Sequence, residues 1–211
     1  MLKIFACLTM LADHIGVAFF PNESIFRMIG RLAMPIYAYH IASGFHFTKN
    51  LKKYCIRILL IALVSQVPFM ILTQSVKLNI CFVWLAGLGL LYYADKKKYI
   101  PAACILVISW FVPFDYGTYA LIWVLFFYCI RNHEKYKIDA FILLSILTAL
   151  YIVIFKAPYY QFLALLSVVL IYICEKAKQH EQQKRQFQSA YRYFYPVHLM
   201  IIDVIQMLCG I

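Results

Sequence analysis

Charge is what this 211-residue chain has least of: 14% of its residues are Asp, Glu, Lys or Arg, against about a quarter in an ordinary soluble domain. So few charges cannot cover a water-facing surface of this size, and an ordinary soluble globule is excluded. Paired cysteines are missing too. The seven (Cys7, Cys55, Cys81, Cys104, Cys129, Cys174, Cys209) are scattered singly, with no C-x-x-C and no metal spacing. That excludes a zinc site and a disulfide framework, and the thiols read as small apolar side chains within helices. No small-residue cleavage site follows the first apolar stretch, which Asp13 and His14 interrupt, so it reads as a retained first span and not as a signal peptide. There is no internal repeat and no second domain, and residues 1–211 read as one transmembrane domain.

What is present is apolar sequence, 64% of the chain, in long runs separated by short basic clusters. Lipid offers no partners for free backbone groups, so such runs are expected as helices. The fold class is all-α, a polytopic transmembrane helix bundle. About nine spans are expected, at 3–20, 28–46, 57–73, 78–94, 99–114, 117–131, 139–155, 159–174 and 192–210. The runs 99–114 and 117–131 are short for full spans, and a re-entrant pair around Pro113, Asp115 and Gly117 is the alternative. The net charge of +11 lies between apolar runs and not along one face, which suits membrane topology and lipid contact better than nucleic acid. With the N-terminus cytoplasmic, sixteen of the twenty Lys and Arg residues fall inside and four (Arg27, Arg31, Lys77, Lys156) outside. Nine spans then carry the C-terminus out. A re-entrant pair would expose the basic stretch 175–192, which reads as a solvated linker or helix extension.

Ionisable groups within spans cost roughly 2.5–3.5 kcal/mol each, so each needs a partner or a role. Asp13 and His14 lie in the first span, His40 in the second, His198 and Asp203 in the last, and Arg27 and Arg31 flank or enter the second. Rise along the helix places His14 roughly 15–20 Å and His198 roughly 10 Å from the same membrane face, so the two can line one cavity. Arg27 and Arg31 share a helix face, as do Tyr195 and His198. Asp13 and His14, as neighbours, diverge by about 100°, which turns Asp13 toward an arginine of the next helix. Pro196 removes a helical hydrogen bond beside Tyr195 and His198. His40 and His46 read as interhelical hydrogen bonders. Thr48, Lys49, Lys52, Lys53 and Arg57 crowd a span mouth, where they can hold phosphates or serve as a positive-inside anchor.

The chain resembles the TraX family, and more distantly the multi-span membrane acyltransferases. The matching residues are Asp13-His14-Ile15-Gly16; Arg27 with Gly30-Arg31-Leu32-Ala33-Met34-Pro35; Gly44, Thr48, Asn50, Tyr54 and Arg57; Ser65-Gln66-Val67-Pro68; Asn79 with Phe82; Asp115-Tyr116-Gly117 with Tyr119; and Tyr195-Pro196-Val197-His198. The chain departs from the family pattern at Ser43 and at Cys174-Glu175-Lys176. The resemblance implies acetyl transfer from acetyl-CoA, as co-substrate, to an amine or hydroxyl on a pilin-like or other peptide, or on a glycan. It implies a multi-pass protein of the bacterial cytoplasmic membrane, surrounded by lipid. His14 is then the expected base, His198 a second proton-handling or orienting group, Tyr195 a hydroxyl donor, and Asp13 the partner of Arg27 or Arg31. Arg27, Arg31, Thr48, Lys53 and Arg57 are the expected donor-binding group, and no metal is required. A small proton-coupled transporter and a non-catalytic assembly factor of a pilus or conjugation system are the alternatives.

Overall fold

The computed structural model describes residues 1–132, 137–178 and 187–210, with side chains for all of these save 177, 178 and 187–192. Lys135 and residues 179–186 of the basic stretch 175–192 lie outside the described residues. The elements are α1 (Leu2–Phe19), α2 (Ser24–Gly30), α3 (Ala33–Phe47), α4 (Leu51–Thr73), α5 (Ile80–Asp95), α6 (Tyr99–Phe111), α7 (Gly117–Asn132), α8 (Lys137–Phe155), a 3₁₀ segment (Tyr159–Leu165), α9 (Leu166–Lys178) and α10 (Phe187–Cys209). Among the described residues there is no strand, only an isolated parallel bridge between Leu78 and Phe114. This is the all-α bundle expected, and its outward faces are those of a membrane protein. On α8, for example, Ile142, Leu143, Ile146, Leu150, Val153 and Ile154 are exposed, a surface that lipid, not water, solvates.

Nine full spans is a correction. Among the described residues four segments are long and apolar enough to cross a bilayer: Leu2–Phe19, Leu51–Thr73, Lys137–Phe155 and Tyr159–Lys176. Ile80–Asp95, Tyr99–Phe111 and Tyr193–Cys209 are apolar but shorter; the 13 residues of α6 rise only about 20 Å. The span expected at 28–46 is broken at Arg31–Leu32 into α2 and α3. Gly30 ends the first piece, and Pro35 sits in the first turn of the second, where a missing N–H does least harm. The helix expected from 57 starts at Leu51 instead, because Asn50 Oδ1 accepts the Lys53 N–H at 2.9 Å and caps it.

The chain divides into two compact units: Met1–Ile36, Val64–Ser75 and Tyr160–Ile211 form the first, and Tyr37–Leu63 with Val76–Tyr159 the second. In the second, α5 packs on α6 and α7, and α7 on α6 and α8. Its core is aromatic and aliphatic: Trp123, Leu121, Leu88 and Leu91 are fully buried. Asn79, also fully buried, joins two helices. Its Oδ1 accepts the Cys81 N–H (3.0 Å) as the cap of α5, and its Nδ2 donates to the Ala62 carbonyl (2.8 Å) of α4. Thr148 Oγ1 donates to the Leu144 carbonyl (2.8 Å), so Tyr119 Oη donates to Thr148 (3.3 Å) and ties α7 to α8. The Asp115-Tyr116-Gly117 turn carries positive φ at Tyr116 (61°) and Gly117 (48°).

In the first unit α1 packs on α2 and on α10. One stripe of α1, Leu2, Ala6, Thr9, Met10 and His14, is buried, while Ile4, Phe5 and Leu8 face outward, the spacing of a helix with a single core face. Thr9 is satisfied within the helix by the Phe5 and Ala6 carbonyls.

Candidate functional site

The polar groups of the first unit gather where α1, α2 and α10 meet. His14 and His198 are both buried, and His14 Nδ1 lies 2.7 Å from His198 Nε2. Their ring planes differ by 3° and their centroids stand 4.9 Å apart. That separation is close to the longest a 2.7 Å contact between two imidazoles permits. The rings therefore lie edge to edge in a common plane, joined by a nearly linear hydrogen bond, and are not face-stacked. On its other side, His198 Nδ1 donates to the Phe194 carbonyl at 2.6 Å. The Phe194 ring covers the His198 ring, with centroids 4.8 Å apart and planes 14° from parallel. Tyr195, buried, completes the wall, its ring 5.7 Å from that of His198 and 6.2 Å from that of His14.

About two turns of α10 further on, Gln206 Nε2 donates to the Ala18 carbonyl at 3.2 Å. The pairs 14–198 and 18–206 ascend together along both helices, so α1 and α10 run in the same sense. This is the arrangement in which both enter the membrane from one face. His14 is twelve residues into α1 and His198 eleven into α10, about 18 Å and 17 Å of rise.

Beside His14, Asp13 points the other way. Its Oδ2 accepts from Arg27 Nη1 at 2.8 Å, so the expected arginine partner on the next helix is Arg27. Asp13 keeps 13% of its side chain exposed and Arg27 32%, a half-buried pair that pins α2 to α1. Two glycines let the helices close: a Cβ on Gly30 would overlap the Asp13 side chain, and one on Gly16 would overlap Phe26. Arg31 is buried, its guanidinium 5.7 Å above the Tyr160 ring. Three side chains of this unit were not singled out from sequence. Gln161 is buried, with Nε2 unpaired among the described residues; as a polar residue inside an apolar run, it carried a visible signal. Phe194 acts through its backbone carbonyl, which no side-chain pattern reports. Gln206 likewise meets a main-chain oxygen. Asp203 is buried and its Oδ1 has no hydrogen bond among the described residues.

The remaining expected residues lie in the second unit. Lys53 and Arg57 are exposed on the first turns of α4, and Thr48 is half-buried just before it. Arg57 lies 5.8 Å over the Tyr54 ring, and a Cβ on Gly44 would meet Tyr54 Oη at 2.6 Å. His40 neighbours Tyr39, ring to ring at 5.4 Å.

A bundle of apolar helices with a buried imidazole pair beside an ion pair defines a polytopic membrane protein with a polar interior site. Comparison gives the family: the TraX protein profile matches residues 1–206, and the chain belongs to the TraX family. It is 29% identical over 161 residues to an uncharacterized protein of Rickettsia prowazekii (strain Madrid E), covering 71% of this chain and 62% of that one. It is 32% identical over 72 residues to a probable fimbrial assembly protein, FimC of serogroup H1, of Dichelobacter nodosus, covering 32% of this chain and 29% of that one. The chain thus spans less than two thirds of the length of either relative. No solved structure matches it.

Proposed function

We propose that this protein is a membrane-embedded acetyltransferase that moves the acetyl group of acetyl-CoA to an amine or hydroxyl of a peptide, pilin or glycan. The observation that carries this reading is the edge-to-edge pair His14–His198, buried between α1 and α10 and backed by Phe194 and Tyr195. Acyl transfer from a thioester needs a group that takes the acceptor proton as the new bond forms. A buried imidazole serves that purpose, and a thioester is already activated. His14 accepts the proton, the acceptor nitrogen or oxygen bonds to the acetyl carbon, the carbon–sulfur bond breaks, and the protonated His14 returns that proton to the departing thiolate, which leaves as coenzyme A thiol. Tyr195 is the candidate hydroxyl donor to the oxygen that gains charge. The Asp13–Arg27 pair holds α1 and α2 in register beside the base. Arg27 and Arg31 are candidate cations for the donor in the first unit, and Lys53, Arg57 and Thr48 are candidate contacts for coenzyme phosphates in the second. The protein works in the bacterial cytoplasmic membrane with its N-terminus inside.

Family membership and the name of the Dichelobacter relative support a place in pilus biogenesis. A non-catalytic assembly role rests on that same relative. The two separate in one assay: purified protein in detergent, acetyl-labelled coenzyme A, and a panel of peptide and glycan acceptors. Acetyl transfer supports the enzyme. Stable co-purifying partners without any label transfer overturn it in favour of the assembly role.

A further inference from the structure

We propose that His198 is a positioning residue: anchored by the Phe194 carbonyl, it fixes the tautomer of His14 so that Nε2 is the atom that takes the acceptor proton. This rests on the acetyltransferase reading and names the reacting atom within it.

What each of these three polar groups can donate or accept fixes the protons along the chain. A carbonyl oxygen only accepts, so the 2.6 Å contact to Phe194 requires a hydrogen on His198 Nδ1. A neutral imidazole has one N–H, so His198 Nε2 carries a lone pair. The 2.7 Å contact then requires the hydrogen on His14 Nδ1. A neutral His14 with its hydrogen on Nδ1 presents a lone pair at Nε2. Reversing the order makes His198 an imidazolium. That adds a third cation to Arg27 and Arg31, against the two carboxylates of Asp13 and Asp203, inside a bundle where each charge is costly.

The geometry supplies the rigidity such a role needs. His198 is clamped by its carbonyl contact, by the Phe194 ring at 4.8 Å and by Tyr195 at 5.7 Å. Gln206 fixes the register of α10 against α1 two turns beyond. When Nε2 of His14 takes the acceptor proton, the imidazolium charge is shared across the Nδ1–H···Nε2 bond, and His198 itself gains no proton from the acceptor. His198 belongs to the support of the base, in the position a carboxylate or carbonyl holds behind other histidine bases.

Two amides separate this role from its rivals because they differ in reach. Glutamine at 198 sets an oxygen near the place of Nε2 and still accepts from His14 Nδ1. Asparagine reaches only as far as Nδ1 and loses His14. His198→Gln is expected to keep kcat within about tenfold of the parent, the worth of one ordinary hydrogen bond. His198→Asn and His198→Ala are expected to lose about 100-fold or more, with KM for acetyl-CoA unchanged. A His198→Gln variant as inactive as His198→Ala, with a melting temperature like the parent's, overturns the proposal, because His198 then transfers protons itself. Equal activity in Asn and Gln variants also overturns it.

A second readout does not use activity. Nitrogen-15 NMR of histidine-labelled protein in detergent, with His14 assigned by its loss in His14→Gln, is expected to show hydrogen on Nδ1 and a bare Nε2. In His198→Asn that preference is lost. Hydrogen on Nε2 of His14 in the parent overturns the tautomer assignment even if acetyl transfer is intact. The expected tautomer in a protein that transfers no acetyl overturns the enzyme reading instead, leaving the hydrogen-bond chain in place.

Discussion

Replacing Gly30 by alanine drives a methyl group into Asp13, the carboxylate that pairs with Arg27. The added Cβ would overlap Oδ1, Cβ and Cγ of Asp13. Asp13 cannot turn aside freely, because Arg27 holds its Oδ2 at 2.8 Å. Helix α2 must therefore back away from α1, or the ion pair must open. Overpacking of this kind costs about 1–3 kcal/mol, which lowers the melting temperature by about 2–12 °C for a chain of this size. Asp13 is joined by one peptide bond to His14, so the displacement reaches the base. A shift near 1 Å at a catalytic group costs about 100-fold in rate. The assay pairs thermal unfolding in detergent with initial rates of acetyl transfer for the parent, Gly30→Ala, Asp13→Gly and the double variant. Asp13→Gly removes the obstructing atoms, so the double variant should be more stable than the sum of the single losses, by about 1–2 kcal/mol. Strict additivity, or a Gly30→Ala protein with the parent's melting temperature and rate, refutes the packing argument.

Other consequences follow from the second unit and from helix direction. Asn79→Ala removes the cap of α5, worth about 0.5–2 kcal/mol, and the Nδ2 bond to the Ala62 carbonyl, a further ~0.5–1.5 kcal/mol. Asn79→Asp keeps the cap but turns a carboxylate toward that carbonyl, so thermal unfolding should show it no better than alanine, and full stability in Asn79→Asp contradicts the bond assignment. Since α1 and α10 run in the same sense, reporter fusions before α1 and after α10 should fall on opposite faces of the membrane, with the first in the cytoplasm. Reporters on a single face would break the account of topology.

Much of the site was legible because burial in lipid makes polar residues conspicuous. Asp13 and His14 diverge around α1, so the sequence alone sent Asp13 to α2 and left His14 free to meet another helix. A last span starting at 192 puts His198 at too shallow a depth. The helix begins at Phe187, and its rise brings His198 level with His14. The break at Arg31–Leu32 is silent in the hydropathy even though Gly30 and Pro35 bracket it: hydrophobicity runs through the interruption, and a hydropathy window sees no turn. The Phe194 and Ala18 carbonyls were beyond reach, because main-chain acceptors carry no sequence signature. The count of nine spans failed for a related reason. Apolar runs such as 99–114 announce burial in lipid or protein, but their helical length depends on where a turn such as Asp115-Tyr116-Gly117 stops them.

Chemical rescue at position 14 asks whether His14 is the base. His14→Gly, purified in detergent and shown to unfold like the parent, is assayed for transfer from acetyl-labelled coenzyme A to a peptide amine, with and without added imidazole. Transfer is expected to fall by about 100-fold or more and to return in part with imidazole. Transfer at the parent rate in folded His14→Gly without imidazole would contradict His14 as the base.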